Sequence, residues 1–174
     1  MQFLKHLNWS HTYISNESLT CICSQPSFVN LEELNINVCF QDENVCSQTI
    51  NNLELLPKLE RLKMCLGGMK CFLFLAQILS SRSKLSTQLT LLHVYFGLQP
   101  MEVLSIEDTF LNSFRHVLES HRGKCQLKFL SVTGRVLTAP MLCSMLSMLT
   151  GKHLQHLKLH FLNTIPALVI FPFS

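Results

Sequence analysis

The sequence predicts an α/β solenoid, in which short parallel strands alternate with helices and each unit stacks on the next. Three observations carry this. One pattern returns six times: leucine, two residues, leucine, one residue, then a large apolar residue. It occurs as Leu4-Lys5-His6-Leu7-Asn8-Trp9, Leu31-Glu32-Glu33-Leu34-Asn35-Ile36, Leu59-Glu60-Arg61-Leu62-Lys63-Met64, Leu89-Thr90-Leu91-Leu92-His93-Val94, Leu127-Lys128-Phe129-Leu130-Ser131-Val132 and Leu154-Gln155-His156-Leu157-Lys158-Leu159. The start-to-start intervals are 27, 28, 30, 38 and 27 residues, the near-fixed period of a repeat architecture. Between the patterns, apolar residues are spaced by three and four, the period of a helix.

Composition agrees. The chain of 174 residues contains 33 leucines, is 48% hydrophobic and only 14% charged, which excludes an extended disordered chain. It is long enough for one domain with a continuous core. Repeat proteins use this much leucine because no unit can bury its own apolar face; each covers its neighbour.

Leu31, Leu34 and Ile36 mark the strand of the second unit, with the residues between them facing outward. The same logic predicts strands at residues 4–9, 31–36, 59–64, 89–94, 127–132 and 154–159. The return segments read as helices. Asn16 to Cys23 is a short one, Cys46 to Leu56 is ended by Pro57, and Met69 to Arg82 places Phe72, Leu75, Ile78 and Leu79 on one face. Asp108 can cap a helix bearing Phe110, Leu111, Phe114, Val117 and Leu118. Thr138 can cap another, with Pro140 in its first turn, Leu142, Met145, Leu146 and Leu149 along one side, and Gly151 at its end.

The 38-residue interval is about ten residues longer than its neighbours. It contains the turn Gly97-Leu98-Gln99-Pro100 and a second strand-like segment, Met101 to Ile106. Leu89 is the better start of the fourth strand, because Ile106 leaves almost no loop before a helix at Asp108. Residues 97–107 are then an insertion, and long loops in compact domains are often functional. The solenoid occupies residues 1–163 in about six units; residues 164–174 form an irregular apolar tail. With no polar cap before Leu4, two alternatives stay open: the tail folds over the last unit, or the chain is a truncated or spliced piece of a longer protein.

Leu31 to Cys39 resembles the leucine-rich-repeat signature, L-x-x-L-x-L-x-x-(N/C), with Cys39 at its last position. Thr12, Gly67, Gly97, Arg135 and Leu162 stand there in the other units, so the resemblance rests on the strand motif and the period. A strand plus a helix at this period is similar to the ribonuclease-inhibitor-like and cysteine-containing classes. The resemblance implies a horseshoe segment, with parallel strands on the concave side, helices on the convex side, and Cys39 bonded to turn backbone inside the arc.

The eight cysteines are scattered and include no Cys-x-x-Cys pair, so they read as reduced, buried, small hydrophobes and favour the cytosol or nucleus. Met1 to Ser10 contains Lys5, His6 and Asn8, which leaves no clean apolar stretch for a signal peptide. No run approaches the roughly 18 apolar residues of a membrane span.

No phosphate-binding glycine loop, nucleophile elbow or zinc-binding helix motif occurs, and Glu32 and Glu33 point to opposite sides of a strand. An enzyme, a cofactor and a metal site are therefore not expected. Charge is more informative. Residues 1–109 hold seven Lys/Arg and ten Asp/Glu, net −3; residues 110–174 hold seven Lys/Arg and one Glu, net +6.

The expected activity is protein binding on the strand face, by Glu33, Asn35, Arg61, Lys63, Leu91, His93, Tyr95, Lys128, Phe129, Ser131, His156, Lys158 and His160. Leu91, Tyr95 and Phe129 are apolar at outward positions, as an interface core requires. The basic second half points to a protein partner with an acidic surface, with nucleic acid the weaker alternative because no aromatic-interleaved basic motif is present. Resemblance implies the substrate-recognition part of a ubiquitin-ligase adaptor, or an innate-sensor-type repeat segment.

Overall fold

The computed structural model describes residues 4–39, 43–67, 74–75, 77–78, 83–97, 127–137 and 154–164. Its centre is one six-stranded sheet. The strands are β1 (His6–Tyr13), β2 (Glu33–Cys39), β3 (Arg61–Gly67), β4 (Leu91–Phe96), β5 (Phe129–Leu137) and β6 (His156–Thr164). Every neighbouring pair is parallel, and the spatial order is the chain order, β1 to β6. Parallel neighbours need a long crossover, and the return segments supply it.

The register follows the leucine pattern. Leu7, Leu34, Leu62, Leu92, Leu130 and Leu157 lie side by side across the sheet, as do Trp9, Ile36, Met64, Val94, Val132 and Leu159. In β2 to β5 these positions are buried: Leu34, Leu62, Leu92 and Leu130 are each 0% exposed. At the two edges the rows open. Trp9 is 44% exposed although its register partner Ile36 is 0% exposed, because β1 is an edge strand of the sheet among the described residues.

Each strand starts two residues later than the pattern that announces it. Leu31, Leu59 and Leu89 belong to the turn before the strand, closed by Leu31 N–H to Phe28 O (2.9 Å), Leu59 N–H to Leu56 O (3.2 Å) and Leu89 N–H to Leu85 O (2.9 Å). All three leucines are buried, so they serve the core from a turn rather than from the ladder. β4 pairs with both β3 and β5, which makes the Leu89 unit the fourth strand; residues 101–106 lie outside the described residues. Thr164, assigned to the tail from sequence, is the last residue of β6.

The helix α1 (Asn16–Cys23) has the expected bounds. Ser15 caps it by accepting from the Ser18 N–H at 3.3 Å, and Leu19, Ile22 and Cys23 face the core. A 3₁₀ turn at Pro26–Phe28 follows. The helix α2 (Glu43–Leu53) begins three residues before the expected Cys46 and ends before Pro57. It packs beside α1 through a polar ladder: Thr49 Oγ1 donates to Asn16 Oδ1 at 2.9 Å, and Asn52 Nδ2 to Thr20 Oγ1 at 2.9 Å. Within the expected 69–82 helix, residues 74, 75, 77 and 78 are helical, and Phe74, Leu75 and Ile78 are buried. A four-residue helix, α3 (Leu85–Gln88), precedes β4. The helices expected after Asp108 and Thr138, and the tail from residue 165, lie outside the described residues. Among the described residues no helix is long and apolar enough to cross a membrane.

Side chains also tie successive units together. Gln88 Nε2 donates to the carbonyls of Leu56 (2.6 Å) and Leu59 (2.9 Å), and Glu54 Oε1 accepts from Ser83 Oγ and Lys84 N–H, both at 2.8 Å. The expectation of uniformly buried thiols is corrected. Cys23 and Cys46 are buried and Cys65 is half-buried, but Cys21 and Cys39 are exposed. Cys39 ends β2 at the surface, in place of the interior position that the resemblance implied. Burial pushes the Cys23 thiol up to about 12.

Candidate interaction face of the parallel sheet

Strand alternation sends one set of side chains into the core and the other to an open face. Constant register then arranges the open set in three rungs running across the strands. The first rung is His6, Glu33, Arg61, Leu91, Phe129 and His156. The second is Asn8, Asn35, Lys63, His93, Ser131 and Lys158. The third is Tyr13, Asn37, Cys65, Tyr95, Thr133 and His160; Tyr13 enters it because the register of β1 shifts between Trp9 and Tyr13.

Twelve of the thirteen residues expected on this face occupy these rungs. The exception is Lys128. It is exposed but lies in the turn leading into β5, where its N–H bonds Thr90 O at 3.0 Å, in the row that holds Lys5, Glu32 and Glu60. Its position one residue before Phe129 gives it the opposite parity to the face. Leu91 and Phe129 are half-buried, whereas Tyr95 is 37% exposed. The rings of Phe129 and His156 lie side by side with centroids 6.1 Å apart.

Electrostatically the face is divided. On β1 to β3, Glu33 gathers three neighbouring side chains: Lys63 Nζ donates to Oε1 at 2.6 Å, Arg61 Nε to Oε2 at 3.1 Å, and His6 Nδ1 lies 3.5 Å from Oε2. The hydrogen bond from Lys63, with the charges of Lys63 and Arg61, holds the Glu33 carboxyl below its ordinary value against partial burial. Glu32, one residue before β2, pairs with Lys5 at 2.7 Å. On β4 to β6 the described residues 127–137 and 154–164 contain no acid at all. His93 is held below the ordinary histidine value, first by burial and then by the positive charges of Lys63 and Lys158. Beside it Ser131 is 1% exposed, and its Oγ has no hydrogen-bond partner among the described residues.

Four participants were not expected from sequence. Asn37 holds the irregular end of β1, donating from Nδ2 to Ser10 O while its own carbonyl accepts from Ile14 N–H at 2.9 Å. Tyr13 reaches across from β1: a Cβ built on Gly67 would stand 3.5 Å from its hydroxyl, and one on Gly97, 3.9 Å. The two glycines leave room for that phenol at the ends of β3 and β4. Cys65 shares a hydrogen bond with Tyr13, which partly offsets the rise that burial gives its pKa. His6 completes the Glu33 cluster. The signal for His6 lies in the register, since His6, Glu33 and Arg61 are one period apart. Among the described residues no three His, Cys, Asp or Glu side chains come together as a metal site.

The chain matches no protein-family model, no curated protein and no solved structure.

Proposed function

We propose that this chain is a leucine-rich-repeat segment that acts as a protein–protein interaction module, taking an acidic partner surface on the open face of its sheet. The observation that carries this reading is the charge arrangement of the three rungs. Among the described residues they hold three permanent cations, Arg61, Lys63 and Lys158, against one carboxylate, Glu33. That carboxylate is already engaged by two of the three, so the uncompensated charge lies toward β6. Around it stand Phe129, Tyr95 and Leu91, which offer apolar area, and three histidines, His93, His156 and His160. Complementary charge chiefly sets the rate of encounter and the choice of partner, while apolar contacts hold the complex. Resemblance to the leucine-rich-repeat strand motif supports, as the setting proposed for such a module, the substrate-recognition part of a ubiquitin-ligase adaptor.

The test compares a partner captured on the wild-type chain with two variants, at low and high salt. A Lys158→Glu variant, which reverses the uncompensated charge of the rungs, is expected to slow association strongly at low salt. Glu60→Lys, at an exposed position outside the rungs, is expected to change it little. Equal association rates for all three proteins, independent of salt, would overturn the electrostatic reading. A steep salt dependence on a nucleic-acid probe, absent with proteins, would favour the nucleic-acid alternative.

A further inference from the structure

We propose that the rung formed by His93, Ser131 and Lys158 is a seat for a single carboxylate side chain of an acidic peptide. This rests on the protein-binding reading above and names the chemical group at its centre. The three residues stand directly beside one another on β4, β5 and β6. Ser131 provides the observation that points to a ligand. Its side chain is 1% exposed, and its hydroxyl has no hydrogen-bond partner among the described residues, an arrangement that costs stability unless something occupies the hydroxyl.

The groups around that hydroxyl favour an anion. Lys158 occupies the same rung as Ser131 on the adjacent strand, where its flexible ammonium group can lean over that hydroxyl; Lys63 stands in the rung on the far side of His93. Neither acid nor amide stands in the rung from Lys63 to Lys158. His93, held neutral near pH 7 by burial and by both lysines, presents one ring N–H as a further donor.

The charge count selects a monoanion. Lys63 is committed to Glu33 at 2.6 Å, which leaves Lys158 as the uncompensated cation of the rung. One positive charge with two neutral donors matches a carboxylate; a phosphate dianion would remain half-compensated. Lys158 is exposed, so its side chain can swing aside to admit the ligand to Ser131. Phe129 and His156, on the rung before, and Tyr95, on the rung after, offer walls for the aliphatic part of a glutamate.

The test uses the full chain with a fluorescein-labelled polyglutamate peptide, a polyglutamine peptide of equal length, and a phosphoserine-containing version of the polyglutamine peptide, all read by fluorescence anisotropy. Wild type is expected to bind polyglutamate and not polyglutamine. Ser131→Ala is expected to weaken binding about tenfold, as for loss of a hydrogen bond to a charged group, with no fall in melting temperature. Lys158→Gln is expected to weaken it at least as much and to flatten its salt dependence. If polyglutamate binds wild type and both variants alike, the seat is wrong and the acidic-surface reading stands. If wild type does not bind polyglutamate at all, both fail. Tighter binding of the phosphoserine peptide would overturn the monoanion assignment. A marked loss of stability in Ser131→Ala would show that the hydroxyl serves the fold, and would overturn the proposal.

Discussion

Lys63 Nζ lies 2.6 Å from Glu33 Oε1, the shortest of three side-chain contacts that converge on a single carboxylate. The two residues stand on adjacent strands, diagonal to one another, because Glu33 is paired directly with Arg61 and Lys63 follows two positions on. The folded state thereby favours the ionised carboxylate. Its contribution is full above the ordinary carboxyl value of 4.5 and is lost as the pH falls through the lower value of the folded state. Glu33→Gln is expected to cost about 1 kcal/mol at neutral pH, since the pairs are partly exposed. The gap between variant and wild type should close on acidification. Urea unfolding across pH 3 to 7 checks this; a gap that persists at the acid end would contradict it.

His93 has the opposite dependence. Its pKa is lowered from 6.5 in the folded state, so below that value the unfolded chain takes up the proton first. Stability therefore falls as pH drops through 6.5 and levels off once the folded form is also protonated. His93→Gln is expected to lose less stability than wild type between pH 7 and pH 5. The unfolding midpoints of the two proteins at those pH values provide the comparison.

Leu62 and Leu130 are both 0% exposed and lie in the same row of the sheet interior. Replacing either by alanine leaves a cavity between strands and the segments that cover them, at a cost of about 2–5 kcal/mol. Two variants that melt like wild type would show that this row is not the core.

Ser15→Ala removes the oxygen that accepts from Ser18 N–H at 3.3 Å and leaves the first turn of α1 uncapped. The expected loss is about 1 kcal/mol. Ser15→Asp should restore it, because aspartate can accept the same bond and also suits the positive end of the helix. Equal stability of all three proteins would mean that this cap contributes nothing.

The sheet was the most legible part of the molecule. A pattern of two leucines and a large apolar residue, repeated at nearly constant distance, identifies six strands and the face each buries. It does not locate their ends, because Leu31, Leu59 and Leu89 are apolar for the sake of a turn. α2 starts at Glu43, ahead of any apolar spacing that could announce it. Glu54 gave no signal either, since its partners, Ser83 and Lys84, lie about one period away. For the face, alternation was sufficient to select Glu33, Arg61, Lys63 and His93. Lys128 was misplaced by one residue because the boundary between turn and strand was misplaced. Tyr13 could not be found at all: it joins its rung through a register shift in β1, and no pattern in the residues before it encodes that shift.

The unequal repeat lengths have a consequence for how such a chain can change. The repeat interval is 27 residues in one unit and 38 in another, yet Leu34, Leu62, Leu92, Leu130 and Leu157 stay in line. At each step one carbonyl fixes the alignment by accepting from two consecutive N–H groups of the next unit: Glu32 O from Glu60 and Arg61, Glu60 O from Thr90 and Leu91, Thr90 O from Lys128 and Phe129. Alignment is thus set locally, at the threshold of each strand, and is indifferent to the distance the chain has travelled since the last one. Insertions and deletions in the return paths are silent to the sheet, whereas a single residue added between Leu59 and Leu62 would turn every later side chain of that strand to the wrong side.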